Sequence, residues 1–358
     1  MTLTLREQVP LAPLTTLGIG GPARHYLLAE SAQDVVDGVR WASARGLPLL
    51  ILGGGSNLVV ADEGFPGLVL HLATGGIETQ GDGDWVELTA AAGEGWDDVV
   101  ALAVARGWAG LECLSGIPGR VGATPIQNVG AYGQEIAETL VRLEALDRVT
   151  LRRLVLSHGE CGFAYRDSRF KRADRNRHVL LSVTFRLRVQ GPPSVRYPEL
   201  AAYLSDQGLE RPTLHDLRQA VLALRRRKSM VFDPDDPESH SVGSFFTNPV
   251  VDTALATGLE AQLRQSGLLG EGERVPSFPA AGGRCKLSAA WLIESAGFPK
   301  GYAHGGVGIS NRHALALVNR GGGTAREIVE LARQIRNEVH ERFGISLEPE
   351  PVLVGLEL

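Results

Sequence analysis

The stretch Gly116-Ile-Pro-Gly-Arg-Val-Gly-Ala-Thr-Pro-Ile-Gln-Asn-Val-Gly-Ala-Tyr-Gly133 holds five glycines, two prolines and one charge in eighteen residues. No regular element is expected to survive that composition, because glycine frees the backbone and proline removes donors. An apolar loop of this length in a compact domain is functional or disordered, and its low charge argues against disorder. It reads as a wall around a flat ligand.

Glycine is enriched along the whole chain, at 44 of 358 residues, about 12% against a typical ~7%. The rest is ordinary for a globular protein, with 44% apolar and 22% charged residues. Glycine and proline together, about 18%, stay below the ~25–30% of low-complexity chains. The length implies two or three domains. A net charge of −5 argues against a general nucleic-acid binder. Cys113, Cys161 and Cys285 form neither a disulfide framework nor a CxxC site. No HxxxH or HExxH occurs among the nine histidines, so no metal site is expected. The start, Met1-Thr-Leu-Thr-Leu-Arg-Glu7, has no basic region and apolar core of a signal peptide, and no run of about 18 apolar residues exists. The expectation is a cytoplasmic protein, free of membrane and nucleic acid. Only four of the 36 basic residues are lysine, Lys171, Lys228, Lys286 and Lys300, which points to sites that need a compact ammonium.

Outward from the loop, spacing predicts a helix from Ser31 to Gly46, then a buried strand Leu47–Leu52 that runs into Gly53-Gly54-Gly55-Ser56-Asn57. Trp85–Ala92 and the alternating Val179–Val189 read as strands, with a helix at Trp96–Arg106. A further unit starts near Pro212 with a capping box at Thr213/Asp216 and a helix ending in Arg225-Arg-Arg-Lys228. Leu287–Ala296 reads as a short helix and Ala314–Val318 as a strand. Thr324/Glu327 cap a last helix that Gly344 stops, and a final strand Ile345–Val354 carries Glu348 and Glu350 on one face.

Five segments are candidates for chemistry. At Gly53–Asn57, small residues let successive N–H groups turn toward a diphosphate, although an ordinary tight turn would use them too. The loop 116–133 is the second. In Ala164-Tyr165-Arg166-Asp167-Ser168 the plain reading is a surface arginine paired with Asp167. Ser244, in Ser241-Val-Gly-Ser-Phe-Phe-Thr-Asn-Pro249, has no GxSxG elbow and remains a possible proton donor. Glu348 and Glu350 are either an exposed acidic face or an acid.

Together these segments resemble the UDP-N-acetylenolpyruvoylglucosamine reductases, the flavoproteins of peptidoglycan precursor synthesis. The resemblance runs from Leu14-Thr-Thr-Leu-Gly-Ile-Gly-Gly21 to Leu347-Glu-Pro-Glu350. It rests on Gly53–Asn57, Ile117-Pro-Gly through Gln127–Gly133, Tyr165-Arg-Asp-Ser168, Gly243-Ser-Phe-Phe-Thr-Asn-Pro249, Lys286-Leu-Ser-Ala-Ala-Trp-Leu-Ile293 and Leu347–Glu350. Tyr197-Pro-Glu-Leu200 looks like the tyrosine loop of the longer form. Two positions depart: Pro351, where the family usually has valine, and Thr247, where lysine is frequent.

The resemblance implies an α+β protein, a vanillyl-alcohol-oxidase/PCMH-type FAD-binding fold of two subdomains plus a third α+β substrate-binding domain. It divides the chain into FAD-binding subdomains at 1–65 and 66–225, a substrate-binding domain at 226–343, and a strand at 344–358 returning to the FAD-binding part. It implies non-covalent FAD, NADPH as reductant, UDP-N-acetylglucosamine enolpyruvate as substrate, and a monomer. FAD would be held by Gly53, Gly54, Gly55, Ser56, Asn57, Gly116, Ile117, Pro118, Gly119, Gly122, Ala123, Gln127, Asn128, Gly130, Tyr132 and Gly133. The substrate would be gripped by Tyr132, Tyr197, Arg225, Lys228, Asn248 and Lys286.

The chemistry agrees with these roles. Hydride addition at C3 of an enolpyruvyl group pushes charge through C2 into the carboxylate, which needs preorganised donors. Arg166 supplies a cationic fork, Glu350 a carboxyl kept protonated, and Ser244 the proton for C2. Glu348 is the fallback acid. Another FAD-dependent oxidoreductase of the same fold, or a non-catalytic nucleotide-sugar-binding protein, are the rival readings.

Overall fold

A computed structural model describes residues 3–358, so the first two residues of the N-terminal stretch lie outside the described part. Contacts divide the chain into two compact units, each assembled from three segments. The first takes the chain up to Pro10, Pro22–Gly55 and Phe65–Phe232; the second takes Leu11–Gly21, Ser56–Gly64 and Asp233–Leu358.

In the first unit, Arg6–Pro10, Pro22–Ala29, Phe65–Leu72 and Leu49–Leu52 form a sheet in that order. Phe65–Leu72 lies parallel to both of its neighbours. The helix Ala32–Ser43 packs Val35, Val39 and Ala42 onto Leu27, Leu68 and Leu70. Its start is the expected Ser31, whose side chain accepts from Asp34 N in a capping box. The larger sheet is antiparallel, in the order Arg153–Ser157, Leu140–Asp147, His178–Val189, Trp85–Ala91, Ile77–Asp82. The central strand is the one whose alternation was clearest in the sequence, and Val183, Phe185 and Leu187 on it are fully buried. The helix Trp96–Ala105 covers this sheet, with Trp96 edge-on to Phe185 at 5.7 Å. Pro198–Asp206 and Leu214–Arg227 close a separate cluster around Leu200, Leu217 and Val221.

The second unit has an antiparallel sheet, Ser241–Ser244, Ala316–Asn319, Val307–Ile309 and Ala303–His304. Beside it are a three-stranded sheet of Val250–Asp252, Arg284–Leu287 and Ser277–Ala280, and a parallel pair, Val352–Val354 on Leu58–Val60. The helix Ala325–Phe343 buries Ile328, Leu331, Ile335 and Val339, starts at the expected Thr324/Glu327 box and stops at a left-handed Gly344.

Several expected boundaries move. The helix predicted over 287–296 covers Ala289–Ser295, because Leu287 ends a strand paired to Ser277. The strand expected at 47–52 covers Leu49–Leu52, and that at 314–318 covers Ala316–Asn319. The final strand is the largest correction: only Val352–Val354 is a strand. The chain before it alternates buried and exposed residues but pairs only through a single bridge, Pro349 to Phe246.

Candidate active site

The two glycine segments of the first unit lie against each other. A Cβ on Gly54 would stand 2.7 Å from Gly119 Cα, so neither backbone tolerates a side chain at Gly54. Among the described residues, the N–H groups of Gly54, Gly55 and Gly119 make no hydrogen bond. Free amides on two abutting backbones are what a diphosphate needs, so these residues fit FAD. The following turns are pinned to the start of the helix Trp96–Ala105: Gly119 O accepts from Trp96 N (3.1 Å), Val121 N donates to Glu94 O (3.0 Å) and Gly122 N to Ala92 O (2.9 Å). The sequence reading missed the anchor at the loop's start. Asp97, held by a two-pronged contact from Arg218 (2.6 and 2.8 Å), accepts from Gly116 N at 2.6 Å. Burial opposes its charge, but Arg218 and the Gly116 amide outweigh burial and hold the carboxyl below its usual value. Its only mark in the sequence is an acidic first turn of a helix.

The loop is not wholly irregular. Gly130–Ala131 and Gln134–Glu135 form a minimal hairpin whose turn is Tyr132-Gly133, with φ of 49° and 79°. Two positive angles in succession make a type I′ turn, here with a tyrosine in a conformation that L side chains disfavour.

The loop is joined to the Tyr165–Ser168 segment by three rungs. Ser168 Oγ donates to Ile126 O (2.5 Å), Asn128 Nδ2 to Ala164 O (3.0 Å), and Arg166 to Gly130 O (2.5 Å). Arg166 sits at the tip of a tight turn closed by paired bonds between Ala164 and Asp167, with φ of 52°. Asp167 takes Arg172 at 2.9 Å. Asn128 also donates to Glu135 (2.7 Å) and accepts from Ala137 N (3.1 Å), so its side chain ties the loop together and any cofactor contact there falls to its backbone.

Around Tyr132 the proposed sugar-nucleotide residues of this unit gather. Tyr197 meets it edge to face at 5.5 Å. Burial pushes the Tyr132 phenol up to about 12. Arg225 is buried and donates to Met230 O (2.5 Å), and burial pulls its guanidinium down to about 10. Its Nε has no hydrogen-bond partner among the described residues, and a Cβ on Gly116 would lie 3.5 Å from it. A buried donor without a partner is costly unless a ligand satisfies it. Lys228 pairs with Glu199 at 2.7 Å.

The second unit carries the remaining candidates, Ser56, Asn57, Ser244, Asn248, Lys286 and Glu350. Glu350 N donates to Phe245 O (2.8 Å) and Thr247 N to Glu348 O (3.1 Å), which joins Glu350 to the residue that follows Ser244 in the chain. Asn57 Nδ2 donates to Glu350 O (3.3 Å) and Val352 N to Asn57 O (2.9 Å). Pro351 falls between two used amides and removes no rung. Glu350 is half-buried while Glu348 is exposed, which favours Glu350 as the acid. Asn248 Oδ1 accepts from Ala289 N (2.9 Å), and Lys286 stands opposite Val250, two residues away. Among the described residues no cluster of three His, Cys, Asp or Glu side chains could hold a metal, and no helix is long and apolar enough to cross a membrane.

Residues 235–354 match the family model described as UDP-N-acetylenolpyruvoylglucosamine reductase, C-terminal domain, and residues 23–150 match an FAD binding domain. The chain is 49% identical to the UDP-N-acetylenolpyruvoylglucosamine reductase of Thermobifida fusca, over 100% of both chains. It is 47% identical to that of Mycobacterium tuberculosis, over 99% of this chain and 96% of the relative. The crystal structure of the reductase from Thermus caldophilus superposes with a TM-score of 0.64 and 26% identity, over 99% of each chain.

Proposed function

The chain belongs to the UDP-N-acetylenolpyruvoylglucosamine reductases, FAD-dependent oxidoreductases of peptidoglycan synthesis, and on that premise we propose how its residues carry out the reaction. The substrate is UDP-N-acetylglucosamine enolpyruvate, the product UDP-N-acetylmuramate, and the reductant NADPH. Gly53–Asn57 and the 116–133 loop would hold FAD without a covalent bond, and the flavin, when bound, would provide hydride chemistry at C3 of the enolpyruvyl group.

The chain's own residues handle charge and proton. Arg166 presents a planar, permanently charged fork to the substrate carboxylate, where charge develops during hydride addition. Its strained tip and its bond to Gly130 O favour this role over that of a solvated surface cation. Glu350, carrying a proton, donates to the second carboxylate oxygen. Ser244 gives its hydroxyl proton to C2, which completes the reduction. Tyr132, Tyr197, Arg225 and Lys228 grip the sugar nucleotide, together with Asn248 and Lys286, and the unpartnered Arg225 Nε is a ready donor to its diphosphate.

The functional division remains FAD-binding at 1–65 and 66–225, substrate-binding at 226–343, and a returning strand at 344–358. Val352–Val354 pairs with Leu58–Val60, which falls in the first of these ranges by sequence and in the second compact unit by contacts. The protein works as a monomer in the cytoplasm, and its three free cysteines support the reducing compartment.

The observation that carries the mechanism is the three-rung link that fixes Arg166 beside the glycine loop. Ser244→Ala tests the proton donor. Flavin reduction by NADPH is expected to stay near normal while reoxidation by the sugar substrate falls by about 10²-fold or more. Equal loss in both half-reactions removes Ser244 from the protonation step.

A further inference from the structure

The turn Gly53–Gly55 faces a physical difficulty. Three glycines carry no side chains to hold their own conformation, and they lose more freedom on ordering than any other residues. A turn that offers its amides to a ligand must therefore be held from outside. Gly119 restrains Gly54 by backbone contact, and the Arg120 side chain would lie 3.5 Å from a Cβ on Gly53. The entry to the turn, Leu52, pairs in the sheet with His71 on Phe65–Leu72.

The His71 ring is itself fixed. Its Nδ1 lies 2.7 Å from Tyr26 OH, and the two rings meet edge to face at 5.9 Å. Tyr26, on Pro22–Ala29, is 4% exposed, so the phenol has little water to bond instead. Burial, then the neighbouring Arg120, pull the His71 ring below its usual value, with the Gly53 backbone acting against them. The ring is thus neutral at pH 7 and leaves the positive charge beside Gly53 to Arg120. Neither Tyr26 nor His71 belongs to any motif that pointed to the cofactor.

We propose that Tyr26 and His71 form a positioning pair that holds the Gly53–Gly55 turn, and through it the diphosphate of the bound dinucleotide. This rests on the FAD reading given above. The hydrogen bond fixes the ring, the ring backs the end of the strand, and the strand end sets the direction of the free amides. The pair touches no reacting atom. Its effect belongs in cofactor affinity rather than in the chemical steps.

The test uses the full chain stripped of flavin and titrated with FAD by fluorescence quenching, with the melting temperature of each apoprotein measured alongside. Tyr26→Phe removes only the hydroxyl, and His71→Phe keeps a ring without hydrogen bonds. Each is expected to weaken FAD binding about tenfold, the scale of one lost hydrogen bond, and the double variant no further. His71→Asn, whose Oδ1 can accept from Tyr26, should recover part of the loss. Unchanged affinity, additive losses, or a lowered apoprotein melting temperature with normal affinity would overturn the proposal. Wild-type protein that fails to bind FAD overturns the cofactor reading and this one with it; wild type that binds beside unaffected variants overturns this one alone.

Discussion

Arg166 illustrates how little a residue's type says before its backbone is known. Its conformation, with φ of 52°, costs on the order of 1 kcal/mol, and the surrounding rungs supply the restraint. Lysine can keep the charge but not the planar fork. Arg166→Lys is expected to cut kcat/KM for the sugar substrate by roughly 10²-fold and leave flavin reduction by NADPH intact, as stopped-flow absorbance would record. Asp147 gives a residue-scale prediction for stability. Hydrogen bonds from Thr150 N, together with Val149 N and Arg177, outweigh burial and hold its carboxyl at about 2. A depressed carboxylate stabilises the fold above its unfolded value of about 4, and that contribution is lost as pH falls toward the folded value. Asp147→Asn should therefore cost about 2 kcal/mol at pH 7 in denaturant titrations, with the difference from wild type shrinking between about pH 4 and pH 2.

At the scale of elements, local signals located helix starts well. Ser31, Thr213 and Thr324 each cap the helix that their spacing predicted, because a capping box is made within four residues. Strand ends were read less well. The strand expected over Ile345–Val354 shrinks to Val352–Val354, since a ladder needs a partner and the partner is Leu58–Val60, almost 300 residues earlier. The same early segment caps the last helix from outside: Asp62 accepts from Ala325 N (2.8 Å) and Arg326 N (3.2 Å). No spacing within the helix reveals that contact. Asp62→Ala is expected to destabilise the second unit by about 1 kcal/mol, seen as a lower midpoint in urea without a changed slope.

At the scale of the whole molecule, both units are discontinuous in sequence. Leu17, Ile19 and Val59 lie in one core cluster with Phe245, Leu292 and Ile335. A fragment spanning residues 233–358 therefore lacks part of its own core, the partner of its last strand and the Asp62 cap. It is expected to show no cooperative thermal transition by circular dichroism, although it contains the whole segment that matches the C-terminal family model. A cooperative melt of the fragment would mean that the early segments are dispensable to this unit.

The sequence by itself determined the glycine loops, the helices with their caps, the central strand and the chemistry to look for, because turn residues, caps and periodicity act over a few neighbours. Only the tertiary structure decided that Gly54 meets Gly119, that Ile126, Asn128 and Gly130 are laced to Ser168, Ala164 and Arg166, and that Arg225 keeps a buried nitrogen without a partner. It also decided which of two glutamates is shielded. Those facts depend on the register between segments tens to hundreds of residues apart, and register is settled by burying whole faces together rather than by any local pattern.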